Sequence, residues 1–366
     1  MSRFMETVRD RVVFYDGSMG ATILNMQLTA AEYGGKEGCN DYLSIVNPSI
    51  VESIHASFLE AGADVLETNT FGGSLPKLEE YGIGELTYEL NRKAAELARG
   101  VADSYSTADR PRFVAGSIGP TGLLPASEDP MLGNHRFPEV VDLFLDQIRG
   151  LVDGGSDVLI IETVQDILEL KAAIHAAGQV FAEREKRIPI QASITLLTSG
   201  TMLLGTDIAA ALTVLEHLPV DIVGLNCSTG PEHMREPARY LGEYSTRPVS
   251  IIPNAGIPIN VNGLAQFPLE PESMGRQLRE MVEEFGVGIV GGCCGSSPEH
   301  IKQIVDQVQS RPAVVRPIRP PATIASMIRS VAMQQEPAPL IVGERVNTQG
   351  SRKVKRFALA DDFDGL

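Results

Sequence analysis

Eight short runs along the chain are almost wholly apolar: "RVVFYD" (11–16), "ADVLETN" (63–69), "RFVAGS" (112–117), "DVLIIET" (157–163), "PIQASIT" (189–195), "DIVGLNC" (221–227), "VSIIPNA" (249–255) and "VGIVGGC" (287–293). They do not alternate apolar with polar, as half-buried strands do. They read as parallel strands covered on both faces. The segments between them have a helical period. In 47–62, Asn47 is placed to cap, Pro48 fits the first helical position, Ile50, Ile54, Phe58 and Leu59 form one stripe, and Gly62 ends it. In 296–308, Ser297 and Pro298 open a helix with Ile301, Ile304, Val305 and Val308 on one face. Eight strand–helix units in succession predict an α/β fold, a (β/α)8 TIM barrel. The open doubly wound sheet is the competing arrangement, and no G-x-G-x-x-G follows the first run to support it.

The pattern ends near residue 310. Residues 1–310 are expected to form the barrel, and the Pro-rich stretch 311–339 an extended linker holding a short helix. From 340 to 366 the chain reads as a strand, a polar turn and the basic start of a helix. That stretch is too short to bury a core, so it reads as the truncated start of a second domain. The chain carries 47 acidic and 31 basic residues, a net charge of -16. That excess argues against nucleic acid or an anionic membrane as partner. No signal-peptide core opens the chain and no apolar run is long enough to span a bilayer. Four cysteines in 366 residues are no disulfide framework and suit a reducing, cytoplasmic setting.

Three of those cysteines carry the chemistry. Active sites of parallel barrels sit at the C-terminal strand ends. Cys227 ends the sixth run and the adjacent Cys293 and Cys294 end the eighth, so all three reach the same rim. Three thiolates suit Zn2+ with a fourth position left open. A strand would send two neighbouring side chains to opposite faces. Gly291, Gly292 and Gly295 are read as the freedom that lets the backbone turn there. A thiol entering the open position loses its proton and stays nucleophilic, which suits thiol alkylation better than hydrolysis. Two other readings remain open at this point: packing cysteines, and a closed structural zinc. The closed site needs a fourth protein ligand, and no other Cys or His ends a strand. His300 lies in the following helix and is not read as a ligand. Cys39 lies away from the strand ends and is read as a structural thiol.

"DGSMGATI" (16–23), "ETNTFGG" (67–73), "GSIGPTG" (116–122), "IETVQD" (161–166), "GLNCSTGP" (224–231), "PNAG" (253–256) and "GGCCGSSPEHI" (291–301) resemble, in order, the motifs of the homocysteine S-methyltransferase family. Within it the resemblance is to the N-terminal homocysteine-binding modules of cobalamin-dependent methionine synthases. "LIVGERVNTQGSRKVKRFAL" (340–359) is similar to the opening of the folate (pterin)-binding module that follows there. The resemblance implies zinc on Cys227, Cys293 and Cys294, homocysteine as acceptor with its sulfur in the fourth position, and methionine as product. It also implies methylcobalamin as methyl donor, bound by a domain outside this chain, and folate-binding and cobalamin-binding domains as partners. Betaine or S-methylmethionine as donor is the alternative, against which the tail argues. Asp16 and Glu162 are expected to hold the substrate α-ammonium. Amides around Ser117 and Gly119 are expected to cradle its carboxylate, and Gly17 to let the backbone come close. Thr70, Asn226 and Asn254 are expected to orient substrate or sulfur. Glu67 is left between an ion-pair partner and a ligand.

Overall fold

The strands of the computed structural model follow the eight apolar runs: β1 (Val13–Phe14), β2 (Val65–Glu67), β3 (Phe113–Ile118), β4 (Val158–Val164), β5 (Ile190–Ile194), β6 (Ile222–Asn226), β7 (Val249–Ile252) and β8 (Ile289–Val290). The structure describes residues 2–129, 131–133, 135–261, 264–309, 321–338 and 347–362. Neighbouring strands pair in parallel in chain order from β2 to β8, and β8 pairs with β1. The seam between β1 and β2 closes through the Tyr15–Val65 bridge. There Asp64 N–H donates to Phe14 O at 2.7 Å and Asp16 N–H to Val65 O at 3.1 Å. The result is the (β/α)8 TIM barrel expected from the pattern.

Alternate strand residues face opposite ways. Val13, Tyr15, Val65, Phe113, Ala115, Val158, Ile160, Ile222, Ile252 and Ile289 pack together inside the barrel. Leu66, Val114, Leu159, Ile161, Val223 and Ile251 face outward into the larger core beneath the helices. The amphipathic helix Arg3–Asp10, which the sequence reading did not anticipate, packs Phe4 and Val8 into the inner cluster, with Phe4 edge-on to Phe113 at 5.3 Å. It plugs the N-terminal end. Beside it the fully buried Asp64 carboxylate binds Arg11 (2.6 Å), Arg110 (3.3 Å) and Arg112 (3.4 Å).

Three expectations need correction. Asn47 precedes the helix Pro48–Ala61 but makes no side-chain cap; its Oδ1 accepts from the Ser49 hydroxyl at 3.2 Å. Gly62 ends that helix in the left-handed conformation, φ 108°, as expected. The short helix expected within 311–339 is not found among the described residues. Thr323–Ala325 and Ser330–Ala332 are instead two paired strands, turned by Ser326, whose hydroxyl accepts from Ile328 and Arg329 N–H. Of the three glycines around the cysteine pair, Gly295 alone has positive φ, at 78°. Gly291 and Gly292 serve space: a Cβ at Gly291 would lie 2.6 Å from Tyr15 Cβ, and one at Gly292 2.4 Å from Ser296 Cβ.

The chain divides into two compact units, the barrel and a smaller C-terminal one. In the latter, the expected basic helix is Arg352–Leu359, opened by Ser351, whose hydroxyl accepts from Val354 N–H. The strand expected from residue 340 and the linker stretch 311–320 lie outside the described residues. No helix among the described residues is long and apolar enough to cross a membrane.

Candidate metal and substrate site

The three sulfurs converge. Those of Cys227, Cys293 and Cys294 all lie within 4.8 Å of one another, and Cys227 Sγ is 3.8 Å from Cys294 Sγ. Zn–S bonds of about 2.3 Å in a tetrahedron set sulfurs about 3.8 Å apart, so the trio fits that ion. The backbone is shaped to bring this about. Cys227 and Ser228 take left-handed conformations, φ 60° and 63°, which turn the chain off the end of β6. Cys227 N–H is tied to Ile252 O at 3.2 Å and Cys293 N–H to Pro253 O at 2.8 Å. Asn254 Oδ1 accepts the Cys294 N–H at 3.1 Å, and Ala255 N–H donates to Cys294 O at 2.9 Å. The end of β7 thus holds both cysteine segments, one on each side.

Three adjacent thiols do not all ionise without a cation. The Cys293 and Cys294 thiols donate toward Cys227 and bring it down to about 3. Bonding to Cys227 pushes Cys294 up to about 12 and Cys293 well above the ordinary thiol range. A divalent ion at their centre supplies the charge that would let all three become thiolates. His300 is spoken for: Nδ1 accepts from Ser297 N–H at 3.2 Å and Nε2 faces Leu269 O at 2.9 Å. Cys39 is buried in a separate cluster with Leu78, Ile83 and Leu90, its thiol raised to about 11 chiefly by burial.

Beside the sulfurs stand three carboxylates. Glu162 is 5% exposed. It accepts from the Ser117 hydroxyl at 2.5 Å and from Asn226 Nδ2 at 3.1 Å. Burial is the main reason its pKa rises to about 7; those two hydrogen bonds oppose the rise. Asp16, 3% exposed, accepts Glu67 N–H at 3.1 Å on Oδ2, while Oδ1 has no partner. Asp16 and Glu67 are both held well above the carboxylate range, first by burial and then by the Glu162 charge. Among the described residues no cation contributes to the setting of any of the three. A ligand with a positive charge and N–H donors is what such a pocket lacks.

The other expected residues build the walls. Asn226, 1% exposed, accepts Thr163 N–H at 2.8 Å. Its Nδ2 reaches Thr163 Oγ1 at 2.8 Å and Cys293 Sγ at 3.9 Å, so it links carboxylate to sulfur. The Thr70 hydroxyl donates to Ser117 O at 2.7 Å and lies 2.6 Å from Thr68 Oγ1. Ser117 N–H is taken by Thr68 Oγ1 at 2.9 Å, so that amide is not a spare donor for a carboxylate. A Cβ at Gly17 would lie 2.7 Å from Phe58 Cε1 and from Ser296 O, and one at Gly119 2.4 Å from Phe71 O. Both glycines face protein on that side. The sequence reading missed Thr68 and Thr163, which anchor Ser117 and Asn226. It also missed the chain Tyr15 OH→Gln191 (2.9 Å) and Gln191→Ser250 (3.1 Å) across the barrel interior. The only available signal was polar residues at inward positions of apolar runs.

Comparison with known proteins matches this arrangement. A family model for homocysteine S-methyltransferase matches residues 13–308. The methionine synthases of Mycobacterium leprae and Mycobacterium tuberculosis are each 38% identical to the chain, over 364 and 359 residues, or 98% of it. The chain spans about 30% of the length of either one. The metallated form of the homocysteine methyltransferase MmuM of Escherichia coli shares the fold, with TM-score 0.66 at 22% identity over 84% of this chain and 99% of that one. The family match takes in the whole barrel and all three converging cysteines, and the chain belongs to the homocysteine S-methyltransferase family.

Proposed function

We propose that this chain is the homocysteine-activating part of a cytoplasmic, cobalamin-dependent methionine synthase. Cys227, Cys293 and Cys294 would hold Zn2+. The observation that carries the reading is the convergence of those three sulfurs, with, among the described residues, no fourth protein ligand and no cation acting on the three carboxylates beside them. Zinc bound by three sulfurs favours the deprotonated, nucleophilic form of a thiol entering its open position.

The chain's own residues bind and aim the acceptor. Asp16 and Glu162 offer acceptors for the α-ammonium. Ser117 and Asn226 hold Glu162 in place. Asn226 and Asn254 steady the cysteine segments. Thr70 fixes the β3 end that carries Ser117, and Gly17 and Gly119 allow the rim loops to close against Phe58 and Phe71. Methylcobalamin, on a domain outside this chain, is the donor in this reading and methionine the product. Its support is the match to methionine synthases over 98% of the chain, which takes in residues beyond the barrel. Residues 311–339 then serve as linker, and residues 340–366 begin a folate-binding domain.

Two measurements test this. Zinc-edge X-ray absorption of the zinc-loaded chain should show a light-atom ligand replaced by a fourth sulfur when homocysteine is added. A coordination shell that stays the same would favour a structural zinc. Methyl transfer assayed with methylcobalamin, betaine and S-methylmethionine should proceed with the first; turnover with betaine alone would overturn the donor assignment.

A further inference from the structure

Thr163, near the end of β4, stands in a conformation that its side chain disfavours. Its φ is 55°, in the left-handed region, and among the described residues it is the only β-branched one with positive φ. The strand is irregular at the same point. Ile161 pairs with Ala192 and Val164 with Ile194, so three steps along β4 span two along β5. The extra residue makes a bulge. Simple alternation after the inward Val158 and Ile160 would send both Glu162 and Val164 inside. With the bulge, Glu162 keeps the mouth side, where Ser117 and Asn226 meet it, and Val164 turns out into the core beneath the helices.

A β-branched residue persists in such a conformation only when its surroundings hold it there. Asn226, at the end of β6, does so. Thr163 N–H donates to Asn226 Oδ1, and Asn226 Nδ2 donates to Thr163 Oγ1, both at 2.8 Å. Thr195 closes the arrangement: its hydroxyl donates to Asn226 O at 2.7 Å and its N–H to Val164 O at 3.0 Å. The grip also acts the other way. Thr163 offers a donor to one end of the amide and an acceptor to the other, so the amide stands only one way round. Its NH2 then faces Glu162 Oε2 at 3.1 Å and Cys293 Sγ at 3.9 Å. Turned over, the amide would set its oxygen against a carboxylate and a sulfur.

Resting on the acceptor-site reading above, we propose that Thr163 is a positioning residue. By fixing the orientation of the Asn226 amide, it keeps an N–H donor on the sulfur of Cys293 and on the Glu162 carboxylate, and so supports both zinc and homocysteine binding. A hydrogen bond from outside the ligand set steadies a metal-binding side chain, and its loss weakens the site.

The test uses two variants of the full chain. Thr163→Val keeps the branched shape and the backbone N–H and removes only the acceptor for Nδ2. Thr163→Ser keeps that acceptor. The zinc Kd is read by competition with a chromophoric chelator, without homocysteine. The L-homocysteine Kd of the zinc-loaded form is read by calorimetry. Thr163→Val should raise the zinc Kd by about tenfold, the low end for the partner of a metal ligand. It should raise the homocysteine Kd by roughly threefold to tenfold, as for one lost hydrogen bond. The melting temperature of its metal-free form should stay within ~3 °C of the unsubstituted chain. Thr163→Ser should keep both constants within about twofold of the unsubstituted values. Unchanged constants in Thr163→Val, or a Thr163→Ser protein as weak as Thr163→Val, would overturn the proposal. So would a Thr163→Val protein whose metal-free melting temperature falls in step with its zinc affinity, the mark of a role in packing alone. If the unsubstituted chain took up zinc but not homocysteine, the acceptor-site reading would fall, and the zinc constants would still decide the part of Thr163.

Discussion

Replacing Asn226 with Asp probes the link between carboxylate and sulfur. The substitution keeps the shape and exchanges one NH2 for oxygen. Asn226 Oδ1 goes on accepting Thr163 N–H, now at 2.8 Å from a carboxylate, and the Thr163 hydroxyl can turn to donate. What changes is the contact with Glu162 Oε2, 3.1 Å away. Two ionised carboxylates at that distance repel by about 5 kcal/mol at an effective dielectric of ~20. The folded variant avoids this by keeping one proton on the pair. Glu162 in the unaltered protein gives its proton up near pH 7, since its pKa is raised to about 7. Below that pH both proteins hold the proton, and the variant loses little beyond one hydrogen bond. Above it only the variant does. The folded variant then binds one proton more than its unfolded chain, so its stability falls as pH rises, by about 1.4 kcal/mol per unit up to the ~5 kcal/mol limit. Urea unfolding of both proteins in EDTA and reductant should therefore give a destabilisation that grows by about 3 kcal/mol from pH 6 to pH 9. A destabilisation equal at the two pH values, within about 0.5 kcal/mol, would refute the placement of the amide against Glu162.

Cys294→Ala removes one of the three sulfurs, so metal analysis after gel filtration should find far less than one zinc per chain while far-ultraviolet circular dichroism is unchanged; full zinc retention would contradict a three-sulfur site. Phe4→Ala empties the plug of the barrel floor, where Phe4 is 1% exposed against Phe113, and should cost about 3–5 kcal/mol in urea unfolding. His55 is fully buried with neither ring nitrogen bonded, and burial lowers its pKa to about 4. The unfolded chain protonates it near pH 6.5 and the folded one does not, so stability should fall by up to about 3 kcal/mol as pH drops from 6.5 to 4. His55→Leu should flatten that part of the pH–stability profile.

The strands were legible because a parallel strand covered on both faces must be apolar throughout, and the eight such runs alternate regularly with segments of helical period. The cysteines were legible because strand ends in a closed barrel share one rim, whatever the loops do. The helix Arg3–Asp10 was not legible. Only Phe4, Met5 and Val8 in it are apolar, and what buries Phe4 and Val8 is the floor of the barrel, assembled from strands as far along the chain as the one that carries Ile289. The expected Asn47 cap failed for a local reason, a nearby Ser49 hydroxyl competing for the same side chain. The partners of Glu162 lie 45 and 64 residues away along the chain, and no spacing rule reaches that far.

The seam of the barrel brings together the first and the last of the motifs named above, 16–23 and 291–301. Asp16 sits where β1 must close on both β2 and β8. Its N–H donates to Val65 O, its carbonyl accepts Gly292 N–H at 3.0 Å, and its carboxylate accepts Glu67 N–H. One residue thus joins three strands, and the glycine it holds lies directly before Cys293. Gly291 must lack a side chain because Tyr15 occupies that space from the other side of the seam. A shift of the seam by a few tenths of an ångström would move the carboxylate pocket and the cysteine pair together. The stretches 16–23 and 291–301 are therefore the two edges of one closure, and Gly17, against Ser296 O, and Gly291, against Tyr15, are set by the close approach of those edges as much as by any ligand.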